Sequence, residues 1–249
     1  MTAVLETRSL HKSFGAVVAA RDVSIEARRG ERLGLIGNNG AGKTTFVNIV
    51  SGYIKPDRGE VLLDGADITG LSPRLVSRQG VSRSFQIPQL FATLTPEENL
   101  LIALGLARPG GLSSWRAARA QALLDELEPL LSRFGLAPYR HHVIAALPGG
   151  VRKLLDIAMA MTGRPKLLLL DEPTSGVAAA EKFPLMDVIM AALEDTAVAV
   201  LFIEHDMEIV GRYAERVLAF YDGRVIADGA PAAVLRNADV QRYVTGVNG

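Results

Sequence analysis

Eight consecutive residues constrain this chain more than any other stretch. Gly37–Thr44 read G-N-N-G-A-G-K-T, follow the short apolar run Arg32–Ile36, and lead into Lys43–Val50, which has helical character. A strand that turns through glycines into a helix is the context in which GxxxxGK followed by Ser or Thr becomes a phosphate site. Glycines let successive N–H groups turn toward one concavity. The helix N-terminus adds unpaired donors and the positive end of a dipole. Lys43 supplies a point charge for the β- and γ-phosphates, and the Thr44 hydroxyl is a ligand for Mg²⁺. The loop formed by Gly37, Asn38, Asn39, Gly40, Ala41, Gly42, Lys43, Thr44 and Thr45 is therefore expected to hold a nucleotide.

A second run agrees with the first. Leu167–Leu170 is continuously apolar, as a strand covered on both faces must be, and it ends in Asp171-Glu172. Two acids at the end of a buried strand suit a site where one carboxylate joins a Mg²⁺ shell and the next polarises a water. Val198–Ile203 is another such run and ends in Glu204-His205-Asp206. Val4–Leu10 and Val23–Ala27 are short apolar-rich strands, with Gly15 between them and the Arg29-Gly30 turn after them. Glu60–Ile68 has the form of a hairpin turning at Asp64-Gly65, and Val81–Phe85 is a further strand. From Thr95 to about Met161 the pattern is mostly helical, most clearly at Ala122, Leu123, Leu127 and Leu130-Leu131. The one tryptophan, Trp115, precedes the apolar spacing that starts at Ala122 and is expected only to pack. Strands alternating with helices predict an α/β fold with a mostly parallel sheet, interrupted by a helical insertion.

The bulk composition excludes several classes. Lys plus Arg and Asp plus Glu balance at 27 each, so no overall field draws the chain to nucleic acid or an anionic bilayer. Cysteine is absent, which removes disulfide scaffolds and thiolate metal sites. His141-His142 lack acidic or thiol company in the sequence and are expected to be exposed. The start, MTAVLETRSLHKSF, lacks a secretory pattern. The apolar stretches fall far short of the roughly 20 residues of a membrane helix. The chain is expected to be soluble and to act on a membrane only by docking.

With these pieces in order the chain resembles the ATP-binding domains of ABC proteins over nearly all of its 249 residues. Gln86, at the end of Val81–Gln86, matches the loop glutamine that senses Mg²⁺ and water and hinges toward a membrane partner. Leu147-Pro148-Gly149-Gly150-Val151 matches the signature motif, with apolar Val151, Leu154, Leu155, Ala158 and Met159 behind it. His205 matches the switch histidine, and Phe14 sits where an aromatic stacks on adenine. The resemblance implies a RecA-like P-loop NTPase core with an antiparallel β subdomain and an inserted helical subdomain. It implies one domain over 1–249, with the core at 1–86 and 161–249 and the helical part at about 87–160. Its cofactors would be ATP and Mg²⁺: Lys43, Glu172, His205 and Gln86 catalytic, Thr44, Asp171 and Gln86 on the metal, and Gly149 and Gly150 on the nucleotide. Its implied place is the cytoplasmic side of the cell membrane, with permease subunits, a second ATPase subunit, identical or not, and indirectly a solute-binding protein.

Two departures fall together. The signature normally has Ser where this chain has Pro148, and Ser175–Glu181 replaces a more polar loop after the second phosphate motif. Both alter the ATP site that this chain would complete for its partner. The segments Ser82–Leu100 and Ile226–Val244 are similar to ATPases of bacterial branched-chain amino acid importers, whose relatives carry urea and short amides. A weakly hydrolysing regulatory subunit and a non-transport ABC ATPase are the other readings. A GTPase is disfavoured because no Asn-Lys-x-Asp motif occurs.

Overall fold

The computed structural model describes residues 3–108 and 117–246, so Trp115 lies outside the described residues. The chain forms two compact units. The first comprises Met1–Val81, Lys166–Glu172 and Ala197–Gly249; the second comprises Ser82–Pro165 and Pro173–Thr196.

The first unit carries two sheets. One is antiparallel, ordered β2-β1-β4-β5, from β1 (Ala3–Phe14), β2 (Val17–Arg28), β4 (Arg58–Leu63) and β5 (Ala66–Asp67). The other runs β10-β9-β3-β8-β7, from β3 (Arg32–Ile36), β7 (Leu167–Asp171), β8 (Ala199–Ile203), β9 (Arg216–Tyr221) and β10 (Arg224–Gly229). Its β9, β3, β8 and β7 are mutually parallel, with Leu33 opposite Leu201 and Leu169 opposite Leu201 on the other side. Every residue of β7 and β8 is buried, as the continuous apolar runs predict. Helix α1 (Lys43–Val50) lays Phe46, Val47 and Val50 into the same core, and the Phe46 ring meets Phe220 of β9 at 5.7 Å. Each fully buried apolar side chain of this kind contributes roughly 1.5–3 kcal/mol.

The first two strands are longer than their apolar runs. Backbone pairing carries β1 on through exposed Ser13 and Phe14 and begins β2 at exposed Val17. A ladder of N–H and C=O groups needs no apolar side chains, and register shifts between Thr7 and Ser13 let the strand change its facing.

The second unit is helical, apart from residues 82–84 of β6 (Val81–Ser84), where it begins. Helix α3 (Pro96–Ala107) opens with a capping box: Glu98 N–H donates to Thr95 Oγ1 and Thr95 N–H to the Glu98 carboxylate. Helix α4 (Ala117–Arg133) buries Leu123, Leu127 and Leu131, the helical spacing read from the sequence. Helices α5 (Gly149–Met161) and α6 (Ala179–Leu193) complete the packed set. His141 and His142 are exposed. The expectation that they lack acidic company is corrected: His141 Nδ1 lies 3.2 Å from Glu97 of α3. Sequence distance hid that neighbour.

Candidate nucleotide site

Three adjacent parallel strands, β3, β8 and β7, end on the same edge of their sheet. That edge, beyond the carboxyl ends, is where parallel α/β sheets hold ligands. Strand β3 releases the loop Gly37–Gly42, β7 ends in Asp171-Glu172, and β8 ends just before Glu204-His205.

The loop's shape depends on two glycines. Gly37 has φ 151°, and a Cβ there would lie 2.5 Å from the Phe220 carbonyl oxygen. Gly42, the residue before α1, has φ 105°, and a Cβ would lie 2.4 Å from the Ala19 carbonyl oxygen. Side chains are excluded on conformation and on space. Gly42→Ala is therefore expected to destabilise the fold by about 1–3 kcal/mol through its strained backbone alone. It should also weaken ATP binding at least about tenfold, because the first turn of α1 must move. Calorimetric titration with ATP checks this, and an unchanged Kd would refute it.

The cavity enclosed by the loop measures about 240 Å³ and is lined by residues 39–45 together with Glu172, Ile203 and His205. Lys43 is buried, and its Nζ donates to the carbonyls of Gly37 at 2.6 Å and Asn38 at 3.1 Å. Burial lowers the pKa of its ammonium, while the nearby charges of Glu172 and Asp171 oppose that shift. The imidazole Nε2 of His205 lies 3.0 Å from Glu172 Oε1. Glu172 also has a left-handed backbone, φ 48°, a conformation that a non-glycine residue adopts only when its surroundings enforce it. Its N–H donates to the Ile203 carbonyl at 3.1 Å, tying the end of β7 to β8. The buried Glu204 carboxylate accepts the His205 N–H, and the next residue, Asp206, caps α7 (Met207–Tyr213) by accepting from Glu208 N–H.

The remaining expected residues fall as follows. Thr44 is exposed and Asp171 buried. Asn38 does not line the cavity; its amide donates to the Tyr243 carbonyl at 2.7 Å, and the Tyr243 ring stacks on Tyr221 at 4.6 Å. Phe14, 49% exposed, lies across the hairpin end from the cavity-lining Val17. Gln86, Gly149 and Gly150 belong to the second unit. There Pro148 is the residue before α5, and its carbonyl accepts the Arg152 N–H. A Cβ on Gly150 would meet nothing within 4 Å. The sequence reading missed Lys153 and Asp156, both buried on α5. Their i, i+3 spacing on the stripe shared with Ile157 was the available signal.

A family model described as ABC transporter matches residues 20–175. The chain is 35% identical over 250 residues to the high-affinity branched-chain amino acid transport ATP-binding protein LivG of Salmonella typhimurium, covering 98% of each. Among solved structures it is similar to an ATP-binding cassette of an ABC transporter, at 29% identity and TM-score 0.86 over 97% of this chain and 98% of that one. A structure of the ADP conformation of an ATP-binding cassette superposes with TM-score 0.79 at 28% identity, over 97% of this chain and 98% of that one.

Proposed function

Because this chain belongs to the ABC transporter ATP-binding family, we propose that it is the ATP-hydrolysing subunit of an importer for branched-chain amino acids or a similar small polar or amide solute. It is an ABC-type ATPase of a membrane-associated transporter, and among the described residues no helix is long and apolar enough to cross a membrane. The observation that carries the hydrolytic reading is the 3.0 Å contact of Glu172 with His205 beside the buried Lys43. The solute class rests on the similarity to LivG over 98% of both chains. That relative is a transport subunit, which favours an importer over a regulatory or non-transport ATPase.

The residues divide the work as follows. The N–H groups of residues 37–45 cradle the phosphates, and Lys43 turns from the Gly37 and Asn38 carbonyls to the β- and γ-phosphate oxygens. Phe14 stacks on the adenine. Thr44, Asp171 and Gln86 offer hard oxygen donors, the type Mg²⁺ takes. Mg²⁺, when bound, neutralises charge on the transferred phosphoryl group. Glu172 orients the attacking water and accepts its proton, and His205 steadies Glu172 and contacts the γ-phosphate. Residues 1–249 act as one nucleotide-binding domain that pairs with a second ATPase subunit, each completing the other's site through Gly149 and Gly150. Permease subunits sit above the pair on the cytoplasmic face of the membrane, fed by a solute-binding protein.

Cells lacking this chain are expected to lose uptake of radiolabelled leucine, isoleucine and valine. Unchanged uptake of these and of short amides would overturn the importer reading. Pro148 brings neither hydroxyl nor N–H to the site completed for the partner. Pro148→Ser in the assembled complex is expected to tighten that site by about 1.5–3 kcal/mol, the worth of one charge-assisted hydrogen bond. Nucleotide titration of the complex reads this directly. Equal affinity before and after would mean that the glycine N–H groups suffice.

A further inference from the structure

We propose that Lys153 and Asp156 are positioning residues for Gln86, clamping the backbone of the Gln86 loop to α5 so that loop and helix move as one body. The inference rests on the ATPase reading above for its functional consequence, and on the second unit alone for its geometry. Lys153 is 2% exposed and Asp156 7% exposed. Two charges so deeply buried cost free energy unless closely paired and hydrogen-bonded. Here their partners lie about seventy residues earlier, in one short segment. Lys153 Nζ donates to the Phe85 carbonyl at 2.8 Å and the Gln86 carbonyl at 3.0 Å. The Asp156 carboxylate accepts from Ser84 Oγ at 2.5 Å and from Gln89 N–H at 3.2 Å.

Four directional bonds therefore grip a six-residue stretch on both sides of Gln86, and three of them take main-chain atoms. An apolar contact would allow the loop to slide; bonds to two carbonyls and one N–H fix its register. The far end is fastened separately. Asn99 of α3, fully buried, accepts from the Phe91 N–H and donates to the Phe91 carbonyl. The clamp also lies close to the signature. At about 1.5 Å of rise per residue, Lys153 sits roughly one helical turn beyond Gly149. A displacement of the Gln86 loop, which faces the permease side in the proposed assembly, is thus handed along a rigid helix to Gly149 and Gly150. Neither Lys153 nor Asp156 touches reacting atoms in this scheme; both act through the loop.

The test uses the full-length chain with Lys153→Met, Asp156→Ala and Lys153→Arg. Hydrogen exchange of the segment 84–91 is expected to quicken about tenfold in the first two variants, as opening of a locally held segment becomes easier. Turnover should fall about tenfold or more, in line with the cost of misplacing a catalytic group by about 1 Å. KM for ATP should stay within about twofold, since the phosphate loop is in the other unit, and the half-activating Mg²⁺ concentration should rise. Lys153→Arg, which keeps charge and donors, should recover most of the turnover. Folded variants with parental exchange and turnover would overturn the proposal, and so would a KM that rises as far as kcat falls. If Asp156→Ala does not fold, Ser84→Ala removes a single bond and carries the same expectation at smaller size. A parent chain that hydrolyses no ATP would count against the ATPase reading, while the exchange comparison would still decide the clamp.

Discussion

Glu172→Gln is expected to leave a chain that holds ATP and hydrolyses it about 10²–10⁴ times more slowly, the usual worth of a general base. The amide keeps the shape of the carboxylate and a polar partner for His205, whose Nε2 lies 3.0 Å from Glu172 Oε1. What it loses is the capacity to take a proton from water. Binding should be spared, because the groups proposed to hold the phosphates come from residues 37–45. Release of inorganic phosphate in a single turnover, set beside an ATP titration, separates the two. Turnover within about tenfold of the parent would remove Glu172 from its assigned role.

Lys43→Met is expected to do the opposite, preserving the empty protein and losing the ligand. Burial depresses the Lys43 pKa on folding, so the unfolded chain binds more protons there. The sign follows: the residue costs stability at neutral pH, and that cost shrinks as pH rises toward the unfolded lysine value. Replacing it with an uncharged side chain of similar length should leave the thermal stability of the nucleotide-free chain within about 1 kcal/mol of the parent, or higher. The gain on adding ATP is another matter. At one hundred times its Kd, ATP stabilises the parent by about 2.7 kcal/mol. Losing charge-assisted contacts of about 1.5–3 kcal/mol should shrink that gain in the variant to below about 1.4 kcal/mol. Paired melting curves with and without ATP measure both terms. An undiminished shift in Tm would show that Lys43 does not touch the phosphates.

Much of this fold was legible because its strongest signals are local. The loop at 37–42 demands glycine where backbone atoms of Ala19 and Phe220 crowd the Cβ positions, and such a demand is written in consecutive residues. The buried strands β7 and β8 announce themselves as unbroken apolar runs, since parallel strands covered on both faces have no polar side to show. The clamp left only one local trace, the i, i+3 spacing of Lys153 and Asp156 beside Ile157, and that trace does not name their partners. A lysine and an aspartate on a helix ordinarily mark a solvated face, and here they are buried only because Ser84, Phe85, Gln86 and Gln89 return to meet them from 67 to 72 positions away. The apolar residues expected to form the stripe of α5 are only partly its buried face: Leu155 and Ala158 are buried, while Val151, Leu154 and Met159 are half-buried. Phe14 shows the converse, a large aromatic read from its position that the fold leaves half exposed.

The left-handed backbone of Glu172 narrows what evolution can write at that position. Aspartate and asparagine adopt such a conformation more readily than glutamate, so the easier choice for the main chain is the smaller acid. Aspartate, however, is shorter by one methylene and would stop short of the imidazole that Glu172 meets at 3.0 Å. Reach and comfort point to different amino acids here. The chain carries the longer one, so a drift to aspartate should relax the turn while leaving the carboxylate stranded behind the water it has to address.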